Sequence, residues 1–174
     1  DLYIAKEVKT SPLSNYLFTQ LNSSKFKAQF IIACFVCHIL IQVTEYVKER
    51  VLALRASNPG QYDNISVVRT NSMKYIPNYF GKAQLSKMFF LFPDPHFKEK
   101  NHRRRVISMH LLDEYSYVME AGGIIYTITD VEELGIWMRT CLDAHVSGEA
   151  PLFEAVPEEE IKVDPVVKLL SSAT

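Results

Sequence analysis

Residues 87–92, KMFFLF, run directly into Pro93-Asp94-Pro95 and then into residues 96–105, HFKEKNHRRR. The apolar run reads as a central β-strand buried on both faces, as in a parallel sheet. The two prolines fix the backbone on either side of one carboxylate. Five cations follow (Lys98, Lys100, Arg103, Arg104 and Arg105), opposed only by Glu99 and interleaved with His96, Phe97 and His102. Taken alone, an aspartate between prolines is turn chemistry and a basic run is a solvated face. Their adjacency at the end of a buried strand changes the reading. A carboxylate beside a basic, aromatic strip suits a site that holds a phosphate backbone and reads a base.

Outward from this stretch the chain alternates strands and helices. Val43, Tyr46, Val47, Val51 and Leu54 recur at helical spacing, with Glu45, Lys48, Glu49 and Arg50 opposite. Asn58-Pro59-Gly60 ends that helix. Ile65–Arg69 reads as a short β-branched strand. Ser108 is placed to cap a helix carrying Leu111, Leu112, Tyr115, Val118 and Met119, with Gly122-Gly123 as its stop. Ile124–Thr129 reads as a further strand. Asp130 with Glu133 three residues on matches a capping box, opening a helix whose buried stripe is Leu134, Trp137, Met138, Cys141 and Leu142. Glu158, Glu159 and Glu160 read as a solvated face or a helix start. Strands alternating with helices predict an α/β fold with a largely parallel sheet. Ligands in such sheets bind beyond the carboxyl ends of strands, which here means after Arg69, Phe92 and Thr129.

Bulk properties are those of an ordinary globular domain. The chain has 174 residues, 48% hydrophobic and 22% charged, with a formal net charge of −1. Nucleic-acid affinity must therefore come from a local patch. Three cysteines (Cys34, Cys37 and Cys141) argue against a disulfide scaffold. Asp1–Lys9 does not read as a cleavable leader, and Phe30–Val43, broken by His38 and Gln42, is short for a bilayer span. Cys34-Phe35-Val36-Cys37-His38 matches a haem-attachment pattern and contains a Cys-x-x-Cys pair. In an apolar run, cysteines acting as small hydrophobes are the preferred reading. Residues 1–42 read as an atypical segment and 43–174 as the domain proper.

LFPDPHFKEKNHRRRVIS (91–108) resembles the signature of the tRNA (guanine-N7)-methyltransferases, in the form of the eukaryotic catalytic subunit and with a plant-like wording. VTEYVKERVLALR, RTNSMKYIPNYF, KMFFLFPDPHFK, GGIIYTITDVEEL and DPVVKLL extend the resemblance over roughly residues 43–174. It implies a Rossmann-like methyltransferase fold that uses S-adenosylmethionine to methylate N7 of a guanine in the tRNA variable loop. It also implies a nuclear location and a non-catalytic WD-repeat partner. By the same resemblance Asp94 is the catalytic aspartate, and Asn71, Ser72 and Leu91 contact the cofactor. Pro95, His96, Phe97, Lys98, Lys100, His102 and Arg103 grip tRNA. Thr174 matches the first residue of a Thr-Glu-Glu motif beside cofactor and tRNA, and the sequence stops before the two acidic residues.

The sequence departs from the family in one region. Members carry an Asp-Ile-Gly-Cys-Gly-type loop after the first strand, where a Cβ would block backbone approach to the cofactor. No glycine precedes Gly60, and none of Phe30–Val43 is acidic where the family places a ribose-binding carboxylate. Residues 1–42 therefore look like a replacement of that half-site. Two further readings stay open beside a working enzyme: a non-catalytic relative that retains tRNA or partner binding, and a poorly folded product.

Overall fold

A computed structural model of the chain describes residues 41–146 and 152–172; for 41–43, 145–146 and 169–172 it describes the backbone alone. Helix α1 (Ile41–Ser57) is followed by α2 (Ser72–Tyr79), β1 (Leu85–Leu91), a 3-10 helix (Glu99–Arg104), α3 (Met109–Val118), β2 (Met119–Ile128), α4 (Glu132–Val146), α5 (Glu158–Val163) and α6 (Pro165–Ser172). Contacts divide the chain into two compact units, one containing residues 41–70 and the other residues 71–172.

In the first unit, α1 forms where the helical spacing predicts it. Val47 and Val51 are buried, while Tyr46 stands 55% exposed and does not belong to the buried stripe. The helix ends before Asn58, whose amide and side-chain Nδ2 both donate to the Leu54 carbonyl. Gly60 then takes a left-handed φ of +80°. Ile65–Arg69 is not a strand. The Arg55 guanidinium donates to the carbonyls of Tyr62 and Ile65, so the start of this segment is held by a side chain, with Ile65 buried.

The second unit is built on β1 and β2, which pair in parallel with α3 as the crossover. Successive side chains of β1 alternate between faces. Met88 and Phe90 are buried, and Phe90 lies 5.2 Å from the Tyr115 ring of α3. Phe89 and Leu91, on the other face, pack with Tyr126, Ile128, Val166 and Val167. The expected central strand buried on both faces is found in part: one face of β1 is buried and the other half-buried. Lys87, on that second face, donates to the Tyr126 hydroxyl, which donates in turn to Asp164 at 2.8 Å. Asp164 also accepts the Val166 amide, so one carboxylate anchors the start of α6 to the sheet. Burial, and then the Asp164 carboxylate, raise the Tyr126 phenol above its ordinary pKa.

Two of the expected boundaries move. Helix α3 stops at Val118, and Met119 already belongs to β2. Gly122-Gly123 lies inside the β2 span, where the register jumps from Leu85↔Met119 to Lys87↔Ile124. The glycines accommodate this bulge and do not stop the helix. Gly122 has φ +81°, and a Cβ on Gly123 would meet Met119 Cε at 2.8 Å, the Glu120 carbonyl oxygen at 2.9 Å and the Leu85 carbonyl oxygen at 3.2 Å. Likewise Asp130 and Glu133 form no capping box. The Val131 amide donates to the Thr129 hydroxyl, and Glu133 bonds to Arg105.

Gly123→Ala is expected to lower stability by ~1–3 kcal/mol, because two of the three clashing atoms are backbone. Gly122→Ala, which faces open space, should cost about 1 kcal/mol through its φ alone. Urea denaturation of both variants checks the order; equal losses would contradict the bulge assignment.

Candidate functional site

The carboxyl ends of β1 and β2 finish side by side. The Phe92 amide donates to the Ile128 carbonyl at 2.8 Å, and beyond it the chain turns out of the sheet into Pro93-Asp94-Pro95. Phe92 and His96 both take left-handed φ values, 51° and 46°. Neither is glycine, so each stores roughly 1–3 kcal/mol of backbone strain, of a kind that clusters at functional sites. Asp94 sits between them, exposed, and its Oδ1 accepts the His96 amide at 3.0 Å. His96 Nδ1 lies 3.5 Å from the same oxygen. His96 Nε2 is buried and finds no hydrogen-bond partner among the described residues.

The residues after this loop form the 3-10 helix, and its side chains divide into two groups. Lys98, Lys100, Arg103 and Arg104 are exposed, as is Phe97 at 69%. They offer cations and one aromatic face to solvent, the combination that holds phosphates and stacks a base. His102 and Arg105 turn inward. The imidazole of His102 packs edge-on to Trp137 with centroids 5.5 Å apart. Arg105 is 1% exposed and does not belong to the solvent-facing strip. Its Nε donates to the Pro95 carbonyl at 2.9 Å, and its Nη2 donates to Glu133 at 2.6 Å and lies 3.0 Å from His102 Nε2. Its guanidinium carbon is 4.9 Å from the centre of the Trp137 ring, and Trp137 Nε1 donates to the Ile107 carbonyl. A charge taken out of water must be paired and hydrogen-bonded, and Arg105 is.

Asn71 and Ser72 stand together at the start of α2. Asn71 is the N-cap but makes no capping side-chain bond, and Ser72 is fully buried with a hydroxyl that has no partner among the described residues. Two polar groups with unspent hydrogen-bonding capacity fit the edge of a polar cofactor such as adenosine. Leu91, half-buried on β1, adds apolar surface at the strand end. Thr174, Cys34, Cys37 and His38 lie outside the described residues. Cys141 is buried on α4 as expected, and burial raises its thiol pKa. Among the described residues there is no cluster of groups that could hold a metal ion, and no helix is long and apolar enough to cross a membrane.

The sequence reading missed the Arg105–Glu133 bond. One signal was available: Arg105 immediately precedes Val106 and Ile107, both buried, so the end of the basic run is already entering the core.

The Arg105 hydrogen bond, with further help from the Arg105 and His102 charges, holds the Glu133 carboxyl below its ordinary pKa. A depressed carboxylate contributes stability that is present above its unfolded value and lost as pH falls through its folded value. Wild type should therefore melt above Glu133→Gln at pH 7, and the two melting temperatures should converge below about pH 4. A difference independent of pH would contradict an ionic Arg105–Glu133 bond.

Comparison with known proteins shows the family. A methyltransferase family model, described as "Putative methyltransferase", matches residues 32–174. The chain is 85% identical over 133 residues to a tRNA (guanine-N(7)-)-methyltransferase of Oryza sativa subsp. japonica, covering 76% of this chain and 49% of that protein. It is 75% identical over 134 residues to the protein of that name from Arabidopsis thaliana (76% and 51%) and 52% identical over 136 residues to that from Mus musculus (78% and 49%). The chain spans about half the length of the curated relatives it matches. The parallel strand–helix–strand unit and the loop at its carboxyl edge are parts of a Rossmann-like methyltransferase fold, and the chain belongs to this methyltransferase family.

Proposed function

We propose that the chain acts in transfer of a methyl group from S-adenosylmethionine to N7 of a guanine in the tRNA variable loop. The observation that carries the reading is Asp94, held exposed between two strained residues at the end of β1, with the cationic face of the 3-10 helix immediately after it. The names of the matched relatives support the same substrate.

Guanine N7 carries its lone pair in the base plane, so no base need remove a proton there. When bound, S-adenosylmethionine supplies a methyl on a positively charged sulfur, a good leaving group. The work of the protein is then alignment. The His96 amide, donating to Asp94 Oδ1, fixes the carboxylate against the loop backbone. Asp94 accepts from the N1–H and amino edge of the guanine, which orients the base and favours the positive charge growing on it. Asn71, Ser72 and Leu91 would hold the adenosine end of the donor. The target base leaves its stack to reach the loop, with Phe97 as a surface for stacking. Lys98, Lys100 and Arg103, with Pro95, His96 and His102 shaping the segment, grip the tRNA. A nuclear location and a WD-repeat partner belong to the same proposal, on the strength of the family resemblance.

Incubating the chain with tRNA and methyl-labelled S-adenosylmethionine, followed by nucleoside mass spectrometry, tests the reading. Wild type should yield N7-methylguanosine. Asp94→Asn should lower the rate by about 100-fold with tRNA affinity little changed. Lys98→Ala and Arg103→Ala should each weaken tRNA binding and reduce its salt slope by about one. Binding of tRNA without methyl transfer would contradict the proposal and leave a non-catalytic relative.

A further inference from the structure

We infer that Arg105 is a positioning residue for the Asp94 loop and not a contact to tRNA. Sequence places it among five cations, yet its neighbours Arg103 and Arg104 are exposed while it is 1% exposed. A guanidinium in that position cannot release counterions from a phosphate backbone. It instead spans two elements. Nε holds the Pro95 carbonyl, one residue from Asp94, and Nη2 holds Glu133 on α4. The Trp137 ring beneath the guanidinium and the His102 ring nitrogen beside it leave it one orientation. The loop needs such a grip. Two of its non-glycine residues, Phe92 and His96, are in the left-handed region, and such conformations persist only where surroundings over-determine them. The Phe92 amide bond to Ile128 fixes the loop where it leaves the sheet. Arg105 fixes it beyond Asp94, against a helix that carries no part of the loop.

The fork geometry is the point at which arginine and lysine differ. A lysine ammonium keeps the charge, but it is one compact centre and cannot present two donors in a plane to a carbonyl and a carboxylate. Arg105→Lys therefore separates position from charge. The catalytic part of this inference rests on the guanine-methylation reading; the ordering of the loop does not.

The test compares wild type, Arg105→Lys, Glu133→Gln and, as a control on the exposed face of α4, Arg139→Lys. Hydrogen exchange over residues 94–105 reads loop order, tRNA binding against salt reads phosphate contacts, and steady-state methylation reads kcat and KM. Arg105→Lys should raise exchange in this segment at least 10-fold and lower kcat at least 10-fold. KM for tRNA and the salt slope should stay as in wild type. Glu133→Gln should change exchange and kcat in the same direction by less, and Arg139→Lys should change nothing. If wild type transfers no methyl group, the functional reading fails while the exchange result still decides the positioning role. A salt slope lowered by about one in Arg105→Lys would make Arg105 a phosphate contact and overturn the inference. Unchanged exchange in Arg105→Lys would overturn it too. Should that variant fail to fold, unchanged exchange in Glu133→Gln has the same consequence.

Discussion

The bond from the Phe92 amide to the Ile128 carbonyl is the last rung of the β1–β2 ladder, and the functional geometry depends on where it falls. Up to that rung, parallel pairing and the packing of Phe90 on Tyr115 leave β1 no freedom. Two residues later the chain carries an exposed carboxylate between two prolines. The transition from full constraint to solvent happens within three residues, and the left-handed φ of Phe92 turns the backbone there. Asp94 can therefore be exposed without being loosely held.

Burial of one cation organises the other side of the loop. The five-cation run divides because Arg105 has Val106 and Ile107 behind it and Glu133, His102 and Trp137 around it. The remaining cations stay on the solvent face of the 3-10 helix. A polar network with its members paired is more rigid than a solvated one, which suits a segment that must present a carboxylate and a cationic face in fixed relation. The Lys87–Tyr126–Asp164 chain performs a comparable service on the opposite face of the sheet, tying the start of α6 to β2.

Much of this was legible in the sequence. KMFFLF followed by Pro-Asp-Pro located the strand and the loop at its carboxyl end, and the apolar spacing of Leu134, Met138 and Cys141 located the buried face of α4. Where the reading failed, a tertiary contact outweighed a local pattern. Ile65–Arg69 has strand composition, but strand formation needs a partner, and the Ile65 carbonyl is taken by Arg55. Gly122-Gly123 follows a helical stripe and looks like a stop, yet the glycines serve a register shift that depends on Leu85, far away in sequence. Glu133 satisfies the spacing of a capping box, but a buried guanidinium within reach is a stronger partner than a backbone amide. No local pattern specifies such pairings. Asp94, by contrast, needed only its neighbours to be singled out.

The proposed methyl transfer needs Asp94 and the cationic face of the 3-10 helix for the tRNA, and the polar pair at the head of α2 for the donor. In that proposal Asn71 and Ser72, the latter with a buried hydroxyl that has no partner among the described residues, would hold the donor. Isothermal titration of the cooperatively folded chain with S-adenosylhomocysteine, the demethylated form of the donor, tests it most directly. The account predicts saturable one-to-one binding that weakens in Asn71→Ala. A folded chain that takes up no S-adenosylhomocysteine at any accessible concentration would contradict it.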